Sequence, residues 1–260
     1  MTESLAGFVG LFVAGVVAGA INSVAGGGTL ISYPALVAFG VPPVPANATN
    51  TAAVCPGAIS SAVAYRHDLP KEGGLLTTLL LPSLVGGLIG AWVLAITPDR
   101  LFARIVPFLV LFATVLFASR DRFSRYLSSK QGEQGKVGAM GRIWGFCFQL
   151  FVAAYGGYFG AGIGILMLAS LGLMGLGDIH RMNALKTFLS SFINGTALIY
   201  FIIKKLVVWP IAILMAAGAI LGGYAGARLA KRVDQKHLQM FIVVVGLVVS
   251  AWLFYKGAQS

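Results

Sequence analysis

Acidic side chains are scarce in this chain: Asp and Glu number 8, histidine 3 and cysteine 2 in 260 residues, and all charged residues together make up 10%. Each shortage removes a class of protein. So little charge leaves too few polar side chains to cover a soluble globule of this length. Cys55 and Cys147 both lie within apolar runs, where cysteine acts as a small buried hydrophobe, so they suggest neither a disulfide nor a metal site. No Ser/His/Asp set and no pair of carboxylates falls inside those runs, which leaves acid–base and nucleophilic hydrolysis without material there. The N-terminal MTESLAG has no basic n-region and no convincing cleavage site, so the first apolar run is expected to be a retained span and not a signal peptide.

What is abundant is apolar. Hydrophobic residues make up 58% of the chain, glycine numbers 34, and the mean hydropathy is +0.87. Residues 5–40, 47–65, 74–96, 101–119, 143–175, 183–203, 207–227 and 238–255 form long runs with almost no charge, most of them reaching the roughly 18 to 20 residues that span a bilayer. This defines an all-α polytopic membrane protein. The net charge of +11 would point to nucleic acid in a soluble chain. Here Lys and Arg sit in short loops between spans, as cytoplasmic loops do, so the expected partners are a lipid bilayer and a small anion, with no nucleic acid.

The chain repeats itself. LFVA occurs at residues 11–14 and again at 150–153. From residue 25 the offset is 136: Ala25, Gly26, Gly28 and Leu30 match Ala161, Gly162, Gly164 and Leu166; Asn47 and Ala48 match Asn183 and Ala184; Gly86, Gly87, Gly90 and Ala91 match Gly222, Gly223, Gly226 and Ala227. Residues 1–119 and 143–260 are read as two transmembrane repeats, joined by a basic linker over 120–142. The first apolar run of each half is too long for one crossing and is broken by AGGG (25–28) and by GGYFGAGIG (156–164). A broken helix hairpin followed by three crossings makes each repeat an odd number of spans, so the two repeats are expected to be inverted.

Charge placement agrees. With the linker inside, thirteen of the nineteen Lys and Arg fall on the cytoplasmic side, and Arg100, Arg104, Lys204, Lys205 and Lys256 remain outside with both termini. Reading each broken run as a single crossing would expel RLAKR (228–232), against the positive-inside rule. An inner-membrane, multi-pass location follows.

Inverted repeats with interrupted helices are the plan of many secondary transporters, which bind substrate near the midplane where the breaks meet. A helix that starts inside the bilayer offers amides and the positive end of its dipole to that spot. Gly26, Gly27, Gly28, Gly160, Gly162 and Gly164 allow a ligand to approach the backbone closely. The pairs Gly86/Gly90 and Gly222/Gly226 read only as helix packing. One side chain stands out: Lys186, inside the apolar run 183–203, where a charge costs about 2.5–3.5 kcal/mol. Asn183, Lys186, Thr187, Ser190, Ser191 and Asn194 share an arc of roughly 140° at helical spacing, a polar stripe turned to the bundle. The equivalent arc of the first half carries Asn47, Asn50, Thr51, Val54, Cys55 and Ala58, which makes Asn50 the counterpart of Lys186. A cation at that depth calls for counter-charge, and a mobile anion supplies it. The bland reading is that Lys186 reaches the cytoplasmic surface with its head in water.

Residues 22–53, NSVAGGGTLISYPALVAFGVPPVPANATNTAA, and 160–188, GAGIGILMLASLGLMGLGDIHRMNALKTF, resemble the two half-signatures of the TauE/SafE family of membrane transporters. The resemblance implies transport of small sulfur oxyanions and organosulfonates, with sulfite export the namesake activity, and no cofactor. By matching motif it implies binding by Asn22, Gly26, Gly27, Gly28, Thr29, Asn47, Asn50, Gly162, Gly164, Asn183 and Lys186; the polar arc adds Thr187 and Ser190. One departure is Thr51, where the family often has a lysine after ATN. Two other classes compete. An intramembrane enzyme would use His67, Asp178 or His180, and a non-transporting scaffold would use the glycines only for helix contact. Which anion, its direction, the coupling ion and the oligomeric state, a homodimer included, are not written in the sequence.

Overall fold

The computed structural model describes residues 5–24, 26–69, 73–129, 139–174, 176, 179–229 and 235–258. Among them ten α-helices follow one another: α1 (Leu5–Val24), α2 (Thr29–Ala38), α3 (Pro43–Ala64), α4 (Gly73–Ile96), α5 (Asp99–Ser129), α6 (Ala139–Tyr158), α7 (Ile163–Leu173), α8 (Ile179–Ile203), α9 (Trp209–Leu229) and α10 (Gln235–Ala258). The described residues contain no strand. Six of these helices, α1, α4, α5, α8, α9 and α10, contain stretches long and apolar enough to cross a membrane. At 1.5 Å per residue, the 22-residue α3 also reaches about 33 Å, but Asn47, Thr49, Asn50 and Thr51 make it too polar to register as a span by composition. Helix α5 runs on to Ser129 and α6 begins at Ala139, both inside the segment 120–142 expected as a linker.

The order long helix, short helix, three long helices occurs twice. Helices α2 and α7, with 10 and 11 residues, cover only about half the ~30 Å hydrocarbon thickness. The packing repeats as well: α1 lies on α9 as α6 lies on α4, and α3 on α9 as α8 on α4. Helices α3 and α8 pack on each other, as do α5 and α10.

Tertiary hydrogen bonds fix which helix ends share a face. The Val44 amide donates to Asp99 Oδ1 at 2.8 Å, and the Val208 amide to Thr49 Oγ1 at 3.0 Å. The starts of α3, α5 and α9 therefore share one face, called the distal face. On the other, Tyr65, Ala184 and Ala227 cluster together and Gln239 Nε2 donates to the Phe117 carbonyl. That linker face gathers the ends of α3 and α9 and the start of α8. Helix α1 runs parallel to α9, with Gly15 against Met215 and Gly19 against Ala219.

Glycine makes these seams. A Cβ on Gly90 would sit 2.0 Å from the Ala154 carbonyl oxygen, and one on Gly222 would sit 1.9 Å from that of Val16. Backbone thus meets backbone across α4–α6 and α1–α9, as small-residue packing in membranes requires. A Cβ on Gly10, by contrast, would meet nothing within 4 Å. Gly90→Leu is therefore expected to destabilise the folded protein by about 1–3 kcal/mol or more, seen as a lowered melting temperature in detergent, while Gly10→Leu leaves it unchanged.

Candidate functional site

The two helix interruptions touch. Gly26 and Gly162 hold φ of +80° and +76°, a left-handed backbone that turns the chain sharply where a side chain would be strained. A Cβ on Gly26 would lie 2.6 Å from Gly164 Cα, so the α1–α2 break and the α6–α7 break abut without side chains between them. Asn22, in the last turn of α1, accepts from the Gly28 amide at 2.8 Å through Oδ1, and so ties down one first-turn donor of α2. Short-range bonds take up most of the rest: the Leu30 and Ile31 amides donate to the Gly27 and Gly28 carbonyls, and those of Ile163 and Ile165 to the Gly160 and Gly162 carbonyls, so what each helix start turns to the break is chiefly the positive end of its dipole. Behind the break, a Cβ on Gly27 would enter the Phe117 ring, and one on Gly28 would strike the Ala18 carbonyl.

Helix α3 carries the neighbouring wall. Ser32 Oγ bonds both the Gly28 carbonyl, at 3.1 Å, and Asn50 Oδ1, and Asn50 Nδ2 donates to Thr29 Oγ1 at 3.3 Å. The Asn50 amide is thereby committed to the start of α2. Its counterpart in the repeat behaves differently. Lys186, at the beginning of the third turn of α8, is 1% exposed; its Nζ donates to Asn183 Oδ1 at 3.2 Å and to the Ser23 carbonyl at 3.5 Å. The ammonium stays inside the protein and does not reach the surface.

Between these elements lies a cavity of about 30 Å³. Of the expected residues, Asn22, Gly26, Thr29, Asn50, Lys186, Thr187 and Ser190 line it. Gly27, Gly28, Gly162 and Gly164 form the surrounding backbone; Gly162 lies against Ala113. Asn183 stands behind as an acceptor for Lys186. Asn47 points elsewhere, donating to the Tyr158 carbonyl at 2.9 Å. The wall also includes Thr51, Val54, Ala58, Ser61, Phe159, Gly160, Ile163 and Asn194, which the motif match does not pick out as binding residues. Asn194 belongs to the polar arc of α8, and Ser61 extends the arc Asn50–Val54–Ala58 by one turn. Phe159 has no sequence signal beyond its place beside the break.

Lys186 is the one charged side chain among the described lining residues. Thr187 Oγ1 is buried on the same wall with no hydrogen-bond partner, a donor aimed at whatever enters. The walls therefore present an ammonium, hydroxyls, side-chain amides and the dipole ends of two helix starts, a chemistry that stabilises negative charge. His67 and Asp68 lie in a 3-10 turn on the linker face, His67 exposed, and neither lines the cavity. The described residues hold no cluster of three metal-ligating side chains. Asp178 and the side chain of His180 lie outside the described residues.

A multi-pass helical bundle whose interrupted helices converge on a buried ammonium has the form of a membrane transporter. Comparison with known proteins gives the particular family: residues 11–253 match the model of the sulfite exporter TauE/SafE family, and the chain belongs to it. Its relatives include the probable membrane transporter protein YfcA of Escherichia coli K12, 31% identical over 94% of this chain and 88% of the relative. Others are the probable membrane transporter protein ORF9 of a Sinorhizobium species, at 30% over 92% and 89%, and a probable membrane transporter protein of Haemophilus influenzae, at 26% over 94% and 93%. No solved structure gives a significant match.

Gly26→Ala tests the contact between the breaks. Left-handed strain of about 1–3 kcal/mol adds to the collision with Gly164, so the variant is expected to melt several degrees lower and to lose transport in vesicles. Retention of both would separate the break geometry from function.

Proposed function

We propose that this transporter carries a small sulfur-containing anion, sulfite, sulfoacetate or a related organosulfonate, by alternating access between two inverted repeats. The observation that carries the reading is Lys186: an ammonium held in the protein interior, on the wall of a cavity where two helix starts meet. Opposite charge at that point is stabilised by the ammonium, by the Thr187 hydroxyl and by the positive ends of two helix dipoles in a poorly solvated setting, where each interaction counts for more than in water. Lys186 supplies the charge and Asn183 orients it. Asn22, Asn50 and Thr29 hold the facing helix start in place. Ser190 and Asn194 extend the polar wall.

The cavity volume supports movement. A space of about 30 Å³ suits roughly one water molecule, less than any sulfur oxyanion needs, so the walls have to part for substrate to enter. The inverted arrangement is supported by helix direction. Helices α3, α5 and α9 start at the distal face, whereas α8 starts at the linker face, so α3 and its repeat counterpart α8 run in opposite senses. We place residues 1–119 and 143–260 as the repeats, in the cell inner membrane with the linker cytoplasmic and both termini outside. In that orientation Arg100, Arg104, Lys204, Lys205 and Lys256 are the outward cations.

Lys186→Ala is expected to abolish anion-induced thermal stabilisation, with apparent affinity falling tenfold or more, the size of one lost hydrogen bond to a charged group. The screen uses sulfite, sulfate, thiosulfate, taurine, sulfoacetate and carboxylate analogues against purified wild type and variant. Wild-type affinity in a folded Lys186→Ala protein removes the lysine from the mechanism. Turnover of any of these compounds to a covalently altered product would favour an enzyme instead.

A further inference from the structure

A second cavity, of about 510 Å³, opens at the distal face between the α2–α3 turn, α5 and α10. Arg100, Arg104 and Lys256 line it with Asp99, over an apolar floor that includes Tyr33 and Val106. Asp99, which accepts from the Val44 amide at the start of α3, keeps its charge, so the lining carries three cations against one carboxylate and is net positive. Convergence of three cations from two helices around one concavity focuses an anion-attracting field.

The floor is also a shared wall. Tyr33 packs edge-on against Phe159 with ring centroids 5.6 Å apart and against Phe102 at 6.2 Å, and Phe159 lines the central cavity. Tyr33 and Phe102 are fully buried. An aromatic layer thus separates the two cavities. It is a feature of the distal side alone: at the repeat offset of 136, Tyr33 corresponds to Ala169 and Phe102 to Leu238.

Resting on the reading of the chain as an anion transporter, we propose that the distal cavity is a second anion site, a vestibule that collects sulfonate or other small oxyanions for the central site behind the Tyr33–Phe159 partition. Its cations are solvent-exposed, so it binds loosely and acts on the rate of encounter more than on affinity.

Two readouts test it. First, Ala103, on the vestibule wall, is changed to Cys in a Cys147→Ser background, Cys55 being buried. Labelling rates are measured with the sulfonate-bearing reagent 2-sulfonatoethyl methanethiosulfonate and with neutral methyl methanethiosulfonate. Adding Arg100→Gln and Arg104→Gln is expected to lower the anionic-to-neutral rate ratio about tenfold at low salt, and an unchanged ratio overturns the site. Second, with Ala103 intact, the double arginine variant is reconstituted and sulfite flux measured. Its KM for sulfite is expected to rise severalfold while sulfite-induced thermal stabilisation stays within twofold of wild type. An unchanged KM in a protein that transports sulfite overturns the vestibule role. A ratio lowered by the arginine substitutions, in a protein whose wild type neither binds nor moves any of the screened anions, supports the anion site and removes the reading of the central cavity.

Discussion

Everything in the interior of this protein follows from one constraint: two helices stop inside a bilayer, and their backbone groups must find partners there. Hydrocarbon offers none, and each orphaned group costs several kcal/mol. The structure meets the constraint by bringing the two interruptions together. Gly26 lies on Gly164, Asn22 occupies the Gly28 amide, and Tyr155 donates through its hydroxyl to the Ala161 carbonyl at 2.7 Å. Local bonds from Leu30, Ile31, Ile163 and Ile165 satisfy much of the remaining backbone, and the positive ends of two short helices then meet beside the Lys186 side chain. The fold and the site are thus the same feature seen from two sides.

The two halves share a plan but divide its chemistry. Asn50 and Lys186 occupy equivalent places on α3 and α8, yet Asn50 spends its amide on Thr29 and Ser32 whereas Lys186 leans on Asn183 and lines the cavity. A neutral side chain makes one half a rigid support. The charged one gives the other half, on the proposed reading, the part of binding element. Two lysines at these places would repel one another in a cavity of this size, so asymmetry of charge within symmetry of backbone limits how much negative charge a guest must bring.

Much of this was legible in the sequence, for reasons that differ by element. The breaks could be read because only glycine runs such as 26–28 and 156–164 interrupt apolar segments so long, and Lys186 because charge is so rare there. The repeat register exposed Asn50 as its counterpart, and glycine spacing marked the seams at Gly86/Gly90 and Gly222/Gly226. Asn47 and Asn183 match in register but serve different neighbours, Asn47 donating to the Tyr158 carbonyl and Asn183 accepting from Lys186. Phe159 could not be found at all. Apolar residues carry no signature that separates a cavity wall from ordinary core, and its importance comes from packing against Tyr33, 126 positions away in the chain. Helix α3 was legible as the uncharged run 47–65, although its Asn and Thr residues lower its hydropathy, as an interior helix tolerates.

The pattern of seams bears on what moves. Repeats 1–119 and 143–260 are units of sequence, yet the closest backbone contacts cross between them: α9 is bound to α1 through Gly15, Gly19 and Gly222, and α4 to α6 through Gly86, Gly90 and Gly157. Parting those seams would strip backbone-to-backbone contact along whole helices. Helices α1, α3 and α9 therefore form one bundle and α4, α6 and α8 another, each having exchanged one helix with the other half. The central cavity takes its walls from α1–α3 on one side and from the α6–α7 break and α8 on the other, so it sits between the bundles. On the proposed reading, the seam that opens to admit an anion is α3 against α8, the one that carries Asn50 and Lys186. Opening it would change the surroundings of the ammonium directly and so couple substrate charge to the motion without any intervening relay.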